Sequence, residues 1–313
     1  MPELPDIAVY IDRLVARIVG HRLEAVRLLN PFLLRTAVPP IASTTGRTVQ
    51  GIERVGKRVV LALDGDLFVV IHLMIAGRLL WLPKGKTTAR NALAFFEFDS
   101  GTLALTEAGS KRRASLHVVE GRAALRALDA GGIDVLAASR DEFAARLVSE
   151  NHTLKRALTD PRLFSGIGNA YSDEILHRAR LSPVSLTRSL SAEAIDRLHA
   201  ATRATLLDWI ERLGREAGDW PAKVTAFHPQ MAVHGRFKLP CPDCGAPVQR
   251  IVHAENETNY CARCQTGGRL LADRALSRLL REDWPRTLDA LEQAKSSRLT
   301  GGGRSERTSK RKE

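Results

Sequence analysis

The chain has 313 residues, 44% of them hydrophobic, and 47 Lys plus Arg against 35 Asp plus Glu, giving a formal charge of +12 and a pI near 10.1. That length and apolar content suffice for two or more packed cores, and the basic excess points to a polyanion such as nucleic acid, whose counterions are released when Lys and Arg meet phosphate. A membrane or secreted protein is not expected: the most apolar run, Leu67 to Leu82, is broken by His72 and Arg78, and Met1-Pro2-Glu3 lacks the charged and apolar regions of an export signal.

In chain order, the first expected element is a helix over residues 2–20, opening at a proline, with Ile7, Ile11, Leu14 and Ile18 at helical spacing. Removal of the initiator Met before the small Pro2 would leave a secondary amine beside Glu3. An α-amino group has a pKa near ~8, well below a lysine near ~10.4, so a neutral, nucleophilic fraction exists at neutral pH. Added to a sugar aldehyde, such an amine gives an iminium, an electron sink that acidifies the neighbouring carbon and permits elimination of phosphate; Glu3 could move the protons. The same residues also read simply as the start of a helix.

From there to about residue 120 the pattern is β. Arg58–Leu63 and Leu67–His72 flank Asp64-Gly65-Asp66, and Ala92–Phe98 and Thr102–Thr106 flank Asp99-Ser100-Gly101, two hairpins that imply a sandwich or barrel. An Ala- and Gly-rich stretch at 121–140 reads as the passage to a helical region with helices at Asp141–Ser149, Thr153–Leu158, Ala170–Ala179 and Ala192–Leu213. Gly166-Ile167-Gly168-Asn169, just before the third of these, could bring backbone N–H groups to a phosphate at a helix N-terminus, or be only a turn; with no Gly-Lys-Ser/Thr it is not a P-loop.

All four cysteines fall in Cys241-Pro-Asp-Cys244 and Cys261-Ala-Arg-Cys264, two C-x-x-C knuckles 16 residues apart. Such knuckles supply the tetrahedral four-sulfur set that Zn²⁺ prefers and leave no open position, so one structural zinc is expected rather than disulfides, in keeping with a reducing cytoplasm. An amphipathic helix around Leu271–Arg281, with Leu276, Leu279 and Leu280 on one side, and a disordered basic tail from Ser296 to Glu313 complete the chain.

Together these pieces resemble the formamidopyrimidine-DNA glycosylase and endonuclease VIII family, from Met1-Pro-Glu-Leu-Pro5 through Lys57 in the first hairpin, His72-Leu73 with Gly77, Gly166-Ile-Gly-Asn169-Ala-Tyr171 and Val233-His-Gly-Arg236 to Cys264-Gln265. The resemblance implies a multidomain α+β fold. Residues 1–125 would be a catalytic β-sandwich domain behind an N-terminal helix, 126–140 a linker, 141–232 a helix–two-turn–helix DNA-binding domain, 233–268 a zinc finger, 269–295 a helical extension and 296–313 the tail. It implies a base-excision repair enzyme, a bifunctional glycosylase and abasic-site lyase on damaged double-stranded DNA. Pro2 would be the Schiff-base nucleophile, Glu3 the proton shuttle and Lys57 a general acid or phosphate partner, with Asp6 beside them. Lys155, Gly168, Asn169, Tyr171 and His72 would contact DNA, and the damaged base would be flipped out of the stack. A monomer, cytoplasmic and nucleoid-associated, is expected.

The departures shape the expected substrate. Asp6 replaces the family's usual Glu, the wedge methionine is Ile75 with Met74 one place earlier, the gap-filling arginine is retained as Arg112, and the intercalating Phe is Ala114. A smaller wedge favours weak base pairs. Five residues before the third cysteine the phosphate-gripping Arg is Asn256, followed by Glu257, which costs a charge-assisted contact of roughly 1.5–3 kcal/mol. Gly214–Gln230 lacks the Ser/Thr-rich pattern of members that cap 8-oxoguanine. β-Elimination is therefore expected to outrun δ-elimination, with 8-oxoguanine opposite cytosine a poor substrate. Two alternatives stand beside this reading: a lyase acting mainly on pre-formed abasic sites, and a damage-DNA-binding protein without catalysis.

Overall fold

The computed structural model describes residues 1–109, 111–221, 224–225, 227–253, 256–271 and 285–293. The chain opens with α1 (Leu4–Ile18). The helix begins two residues later than the spacing suggests because Glu3 is its N-cap: the Glu3 side chain takes the Asp6 backbone N–H, and the Asp6 carboxylate takes the Glu3 N–H in return. Pro2 therefore lies outside the helix, ahead of the cap. Ile7, Tyr10, Leu14 and Ile18 are fully buried, each side chain worth about 1.5–3 kcal/mol in removed apolar surface.

Eight antiparallel strands follow: β1 (Leu23–Leu28), β2 (Val49–Val55), β3 (Arg58–Leu63), β4 (Leu67–His72), β5 (Gly77–Leu82), β6 (Ala92–Phe98), β7 (Gly101–Glu107) and β8 (Ser115–Glu120). They form two four-stranded sheets, ordered β1-β6-β7-β5 and β2-β3-β4-β8. Val59, Leu61, Val69 and Ile71 of one sheet pack with Phe96, Phe98, Leu103 and Leu105 of the other, and the buried face of α1 joins the same core. Both expected hairpins are present, β3–β4 and β6–β7. Lys57, however, sits in the turn between β2 and β3 rather than in the β3–β4 hairpin.

A short helix, α2 (Arg122–Arg126), covers the outer face of the second sheet, where Val60, Phe68, Val70 and Leu125 form a separate small cluster. The helical half consists of α3 (Arg140–Val148), α4 (Leu154–Thr159), α5 (Asn169–Arg178) and α6 (Ala192–Glu216). Its core is built on Phe143, Leu154, Leu158, Phe164, Ile175, Leu198 and Trp209, and it also contains Leu4 from the first turn of α1. One helix thus serves both cores. The zinc hairpin is β9 (Gln249–His253) and β10 (Asn256–Tyr260), followed by α7 (Ala262–Thr266). Leu270, Leu271 and Leu288 pack into the hairpin's own cluster with Val233, Val248, Ile251 and Tyr260, so the described part of the extension folds back on the hairpin. The helix expected around Leu271–Arg281 and the tail from Ser296 fall outside the described residues, apart from Leu271 itself.

Candidate active site and nucleic-acid interface

The site forms where α1 and α5 meet end to end. Gly168 precedes α5, and the four N–H groups of a helix's first turn have no partner within the helix. Three amides at this end find one in Glu3: its carboxylate accepts the N–H of Gly168 at 2.6 Å, Ala170 at 2.9 Å and Tyr171 at 3.3 Å. The positive end of the α5 dipole adds to the attraction. Glu3 is only 2% exposed, so these bonds operate out of water. A Cβ on Gly168 would lie 2.5 Å from both the Glu3 carboxyl carbon and the Lys57 ammonium, which shows how closely the three residues converge and why glycine occupies this position. The adjoining turn is tied down as well. Gly166, at φ +89°, accepts the Leu4 N–H through its carbonyl at 3.0 Å, and the Arg54 guanidinium under it donates to Ser165 Oγ at 3.0 Å and Asp134 at 2.8 Å.

Burial sets the charges of this cluster. It lowers the Lys57 ammonium below its usual range, with neighbouring Glu3 opposing the shift. It also lowers the terminal amine at Met1, again against the pull of Glu3, and Pro2 beside it is buried. Asp6 is pushed up to about 7 by burial, so it changes charge near neutral pH, and His72 is pushed down to about 4 by burial and by the nearby Arg58 and Lys57. The terminal amine, the Glu3 carboxylate and the Lys57 ammonium therefore stand close together out of water, beside an Asp6 that titrates near neutrality.

Lys155 and Asn169, the expected phosphate ligands, are both already engaged. The Lys155 ammonium donates to the Asn169 carbonyl at 2.6 Å and to Asp173 at 2.5 Å, and the Asn169 side-chain amide donates to the Glu257 carbonyl at 3.0 Å. An ammonium carries three N–H donors, so Lys155 keeps one for a phosphate. The polar hub beneath them is not legible in the sequence. Asp173, with no side-chain exposure, also accepts from His234 Nδ1 at 2.8 Å and the Asn259 N–H at 3.1 Å, while Glu174 takes the amides of Ala232, Val233 and His234. An acidic pair inside a helix gives no sign of its partners when these lie about sixty to ninety residues away.

His72 ends β4 opposite Arg58, next to the Lys57 turn. Ile75 and Arg112 are exposed on the two loops that leave the β5–β7 pair at one end, where Gly77 faces Glu107. The Glu107 carboxylate anchors the second loop by accepting the Arg113 and Ala114 N–H groups. Ala114 does not stand in for a wedge: it is 4% exposed and belongs to the sandwich core, whereas Lys111, Arg112 and Arg113 before it and Ile75 on the other loop are exposed. Asn256 is exposed at the start of β10. Pro2, Glu3, Asp6, Lys57, Gly168 and Tyr171 are thus gathered together, whereas Ile75, Arg112 and Asn256 stand on exposed loops and a strand end outside that buried cluster.

The four Sγ atoms of Cys241, Cys244, Cys261 and Cys264 lie within 4.8 Å of one another, with Cys244–Cys261 at 3.4 Å and Cys241–Cys264 at 3.9 Å. A Zn–S bond of ~2.3 Å in a tetrahedron needs sulfurs just under ~4 Å apart, so the set fits one Zn²⁺ with all four positions filled by protein. The zinc is structural: it holds the hairpin whose Glu257 carbonyl meets Asn169.

A β-sandwich, a helix–two-turn–helix unit and a four-cysteine zinc finger, joined at a buried N-terminal carboxylate, define a distinct architectural class, and three family models match it in this order. The formamidopyrimidine-DNA glycosylase N-terminal domain matches residues 1–115, the formamidopyrimidine-DNA glycosylase H2TH domain residues 134–218, and the zinc finger found in FPG and IleRS residues 238–267. The chain is 34% identical over 278 residues to the formamidopyrimidine-DNA glycosylase of Heliobacterium modesticaldum, covering 85% of this chain and all of the relative. The crystal structure of the Thermus thermophilus MutM (Fpg) protein superposes with a TM-score of 0.72 at 31% identity, covering 84% of this chain and 98% of that one. The Lactococcus lactis Fpg in complex with DNA containing an oxidized pyrimidine gives 0.75 at 26% identity, covering 85% and 100%. The chain belongs to the formamidopyrimidine-DNA glycosylase family.

Proposed function

We propose that this protein is a base-excision repair enzyme, a DNA glycosylase and abasic-site lyase that uses the Pro2 amine on damaged duplex DNA. The observation that carries the reading is the Glu3 carboxylate, fixed by three amides at the N-terminus of α5 within reach of Lys57 and next to Pro2. The freed secondary amine attacks C1′ of the damaged nucleotide; the C1′–N bond breaks, and the base leaves with a proton that Glu3 or Lys57 can supply. The amine nitrogen gives up its proton, the C1′–O4′ bond opens as O4′ takes a proton from Glu3, and the iminium so formed acidifies C2′; loss of a C2′ proton to a carboxylate follows, and the electrons expel the 3′ phosphate. Water then releases Pro2 from the sugar. Lys155, His72 and the exposed Arg112 would meet phosphate and the gap left by the flipped base, and Tyr171 and Asn169 would shape the wall.

The proposed division falls at 125, 140, 232, 268 and 295; it is supported at 232, between Met231 of the helical core and Val233 of the hairpin cluster, whereas Leu270, Leu271 and Leu288 share that cluster across 268. A single chain supplies both walls of the cleft, so the enzyme acts as a monomer. Among the described residues no helix is long and apolar enough to cross a membrane, and the charge of +12 favours residence on nucleoid DNA. Asn256 in place of an arginine favours β- over δ-elimination.

The test is borohydride trapping on a duplex with a single abasic site and on one with an oxidized pyrimidine, comparing wild type with Pro2→Gly and Glu3→Gln. A covalent adduct located on Pro2 by mass spectrometry, lost in Pro2→Gly, is the expected outcome, with unsaturated 3′ ends outnumbering 3′ phosphates. Adduct on the abasic duplex alone would make the enzyme a lyase of pre-formed sites. Binding of both duplexes with no adduct would make it a damage-binding protein.

A further inference from the structure

Helix α5 is used along its whole length. Its first amides hold Glu3, its middle acids hold the 232–234 turn that leads into the zinc hairpin, and its last turn carries His177. That imidazole is 3% exposed, and its Nε2 lies 3.2 Å from Cys241 Sγ, within hydrogen-bond range for sulfur. The other polar neighbour is Asp243, half exposed, whose carboxylate is 3.9 Å from the same nitrogen. Four thiolates around one dication leave the cluster with two surplus negative charges, and a zinc-bound thiolate can only accept a hydrogen bond, so the shared proton belongs to Nε2. His177, Asp243 and Cys264 also lie within 4.8 Å of one another, but the four-cysteine set already fills a tetrahedron.

We propose that His177 is the outer hydrogen-bond donor of the zinc site, its Nε2–H donating to the Cys241 thiolate. The bond draws electron density off the sulfur, which slows attack on that thiolate and loss of the metal, and it joins the hairpin to the helix that holds Glu3. His177 is thus a positioning residue that acts through the metal ligand and does not itself touch DNA.

Two readouts on the full-length zinc protein test this. The first replaces zinc by cobalt(II) and records the thiolate-to-cobalt charge-transfer band in wild type, His177→Phe and His177→Gln. Loss of the donor makes the sulfur a better electron donor, so the band should move to lower energy in the Phe variant and return towards the wild-type position in Gln, which keeps an N–H. The second follows zinc release under hydrogen peroxide with a chromogenic zinc chelator. Release should be roughly tenfold faster in His177→Phe, the lower end of what a hydrogen bond to a charged group is worth, and close to wild type in Gln. Should the Phe variant not fold, His177→Met removes the donor with a flexible chain and serves in its place. An unmoved band with unchanged release in the donorless variant would overturn the proposal, as would a wild-type cobalt spectrum with three sulfurs and one nitrogen, which would make His177 a ligand.

Discussion

At the scale of single residues, Glu3 and Asp6 share one helix end through reciprocal cap bonds. Asp6 accepts the Glu3 N–H at 2.8 Å, yet burial still pushes its pKa to about 7. The unfolded value is near ~4, so between about pH 4 and 7 folding takes up a proton, and stability is greatest at the acid end of that window. It falls by about 1.4 kcal/mol per pH unit across the window and levels off above about 7. Asp6→Asn removes the titration, and thermal unfolding midpoints measured between about pH 5 and 8 should lose this part of their slope. The difference between the variant and wild type should shrink as the pH is lowered, because the wild-type acid is then protonated as well. Much of this residue-level picture is legible in the sequence. Pro2, Glu3, Lys57 and Asp6 can be named because their order and types are specific, and the four cysteines because metal geometry dictates their spacing. The opposite holds for Asp173, Glu174 and His177, whose partners lie far off in sequence, and for Ala114, whose inward orientation depends on how Glu107 anchors its loop.

At the scale of elements, the N-terminus of α5 is the part on which the site depends. Its orphan amides are satisfied by a carboxylate from another element, and Gly168 leaves no room for a side chain between them. Gly168→Ala should place a methyl group against Glu3 and Lys57 and displace one of them by an ångström or so. A misplacement of this size costs roughly a hundredfold in rate. Single-turnover cleavage of an abasic duplex should fall by about that factor, while binding to a non-cleavable abasic analogue stays near wild type; a parallel loss of both would place the effect in folding. Helices and hairpins are visible from periodicity, since α3, α5 and α6 match their expected spans within a few residues. β2, with Gly51, Glu53 and Arg54, and β8, with His117, carry too mixed a pattern to be read as strands alone, and pairing with β3 and β4 is what makes them so. The boundary of α1 is set by a cap whose reciprocal bonds use an Asp where periodicity registers only a polar position.

At the scale of the molecule, two cores are coupled by a small number of groups. Leu4 belongs to the helical core while Ile7, Tyr10, Leu14 and Ile18 belong to the sandwich, and Arg13 donates across to the Gly214 carbonyl of α6. Arg54, on the sandwich side, reaches Ser165 and Asp134 on the other, and its side chain is 15% exposed. Arg54→Ala should cost about 1.5–3 kcal/mol through the buried Ser165 and Gly56 contacts, the half-exposed Asp134 adding little. The measured signs would be a lower thermal midpoint together with slower abasic cleavage, because the 165–168 turn it supports is the one that presents amides to Glu3. Unchanged cleavage in a destabilised variant would show that the turn holds its shape without this bridge.

The bond between Glu3 and Gly168 spans 165 positions of sequence. Glu3 waits for its partner while the next 165 residues are made, roughly ten to thirty seconds at ordinary synthesis rates. Contacts of such long range are also the slowest to close once the chain is available. A chain that ends short of α5 can therefore carry a complete sandwich and still have no amides to hold the Glu3 carboxylate. The buried carboxylate finds its partners only when the second half of the protein closes over the beginning of the first.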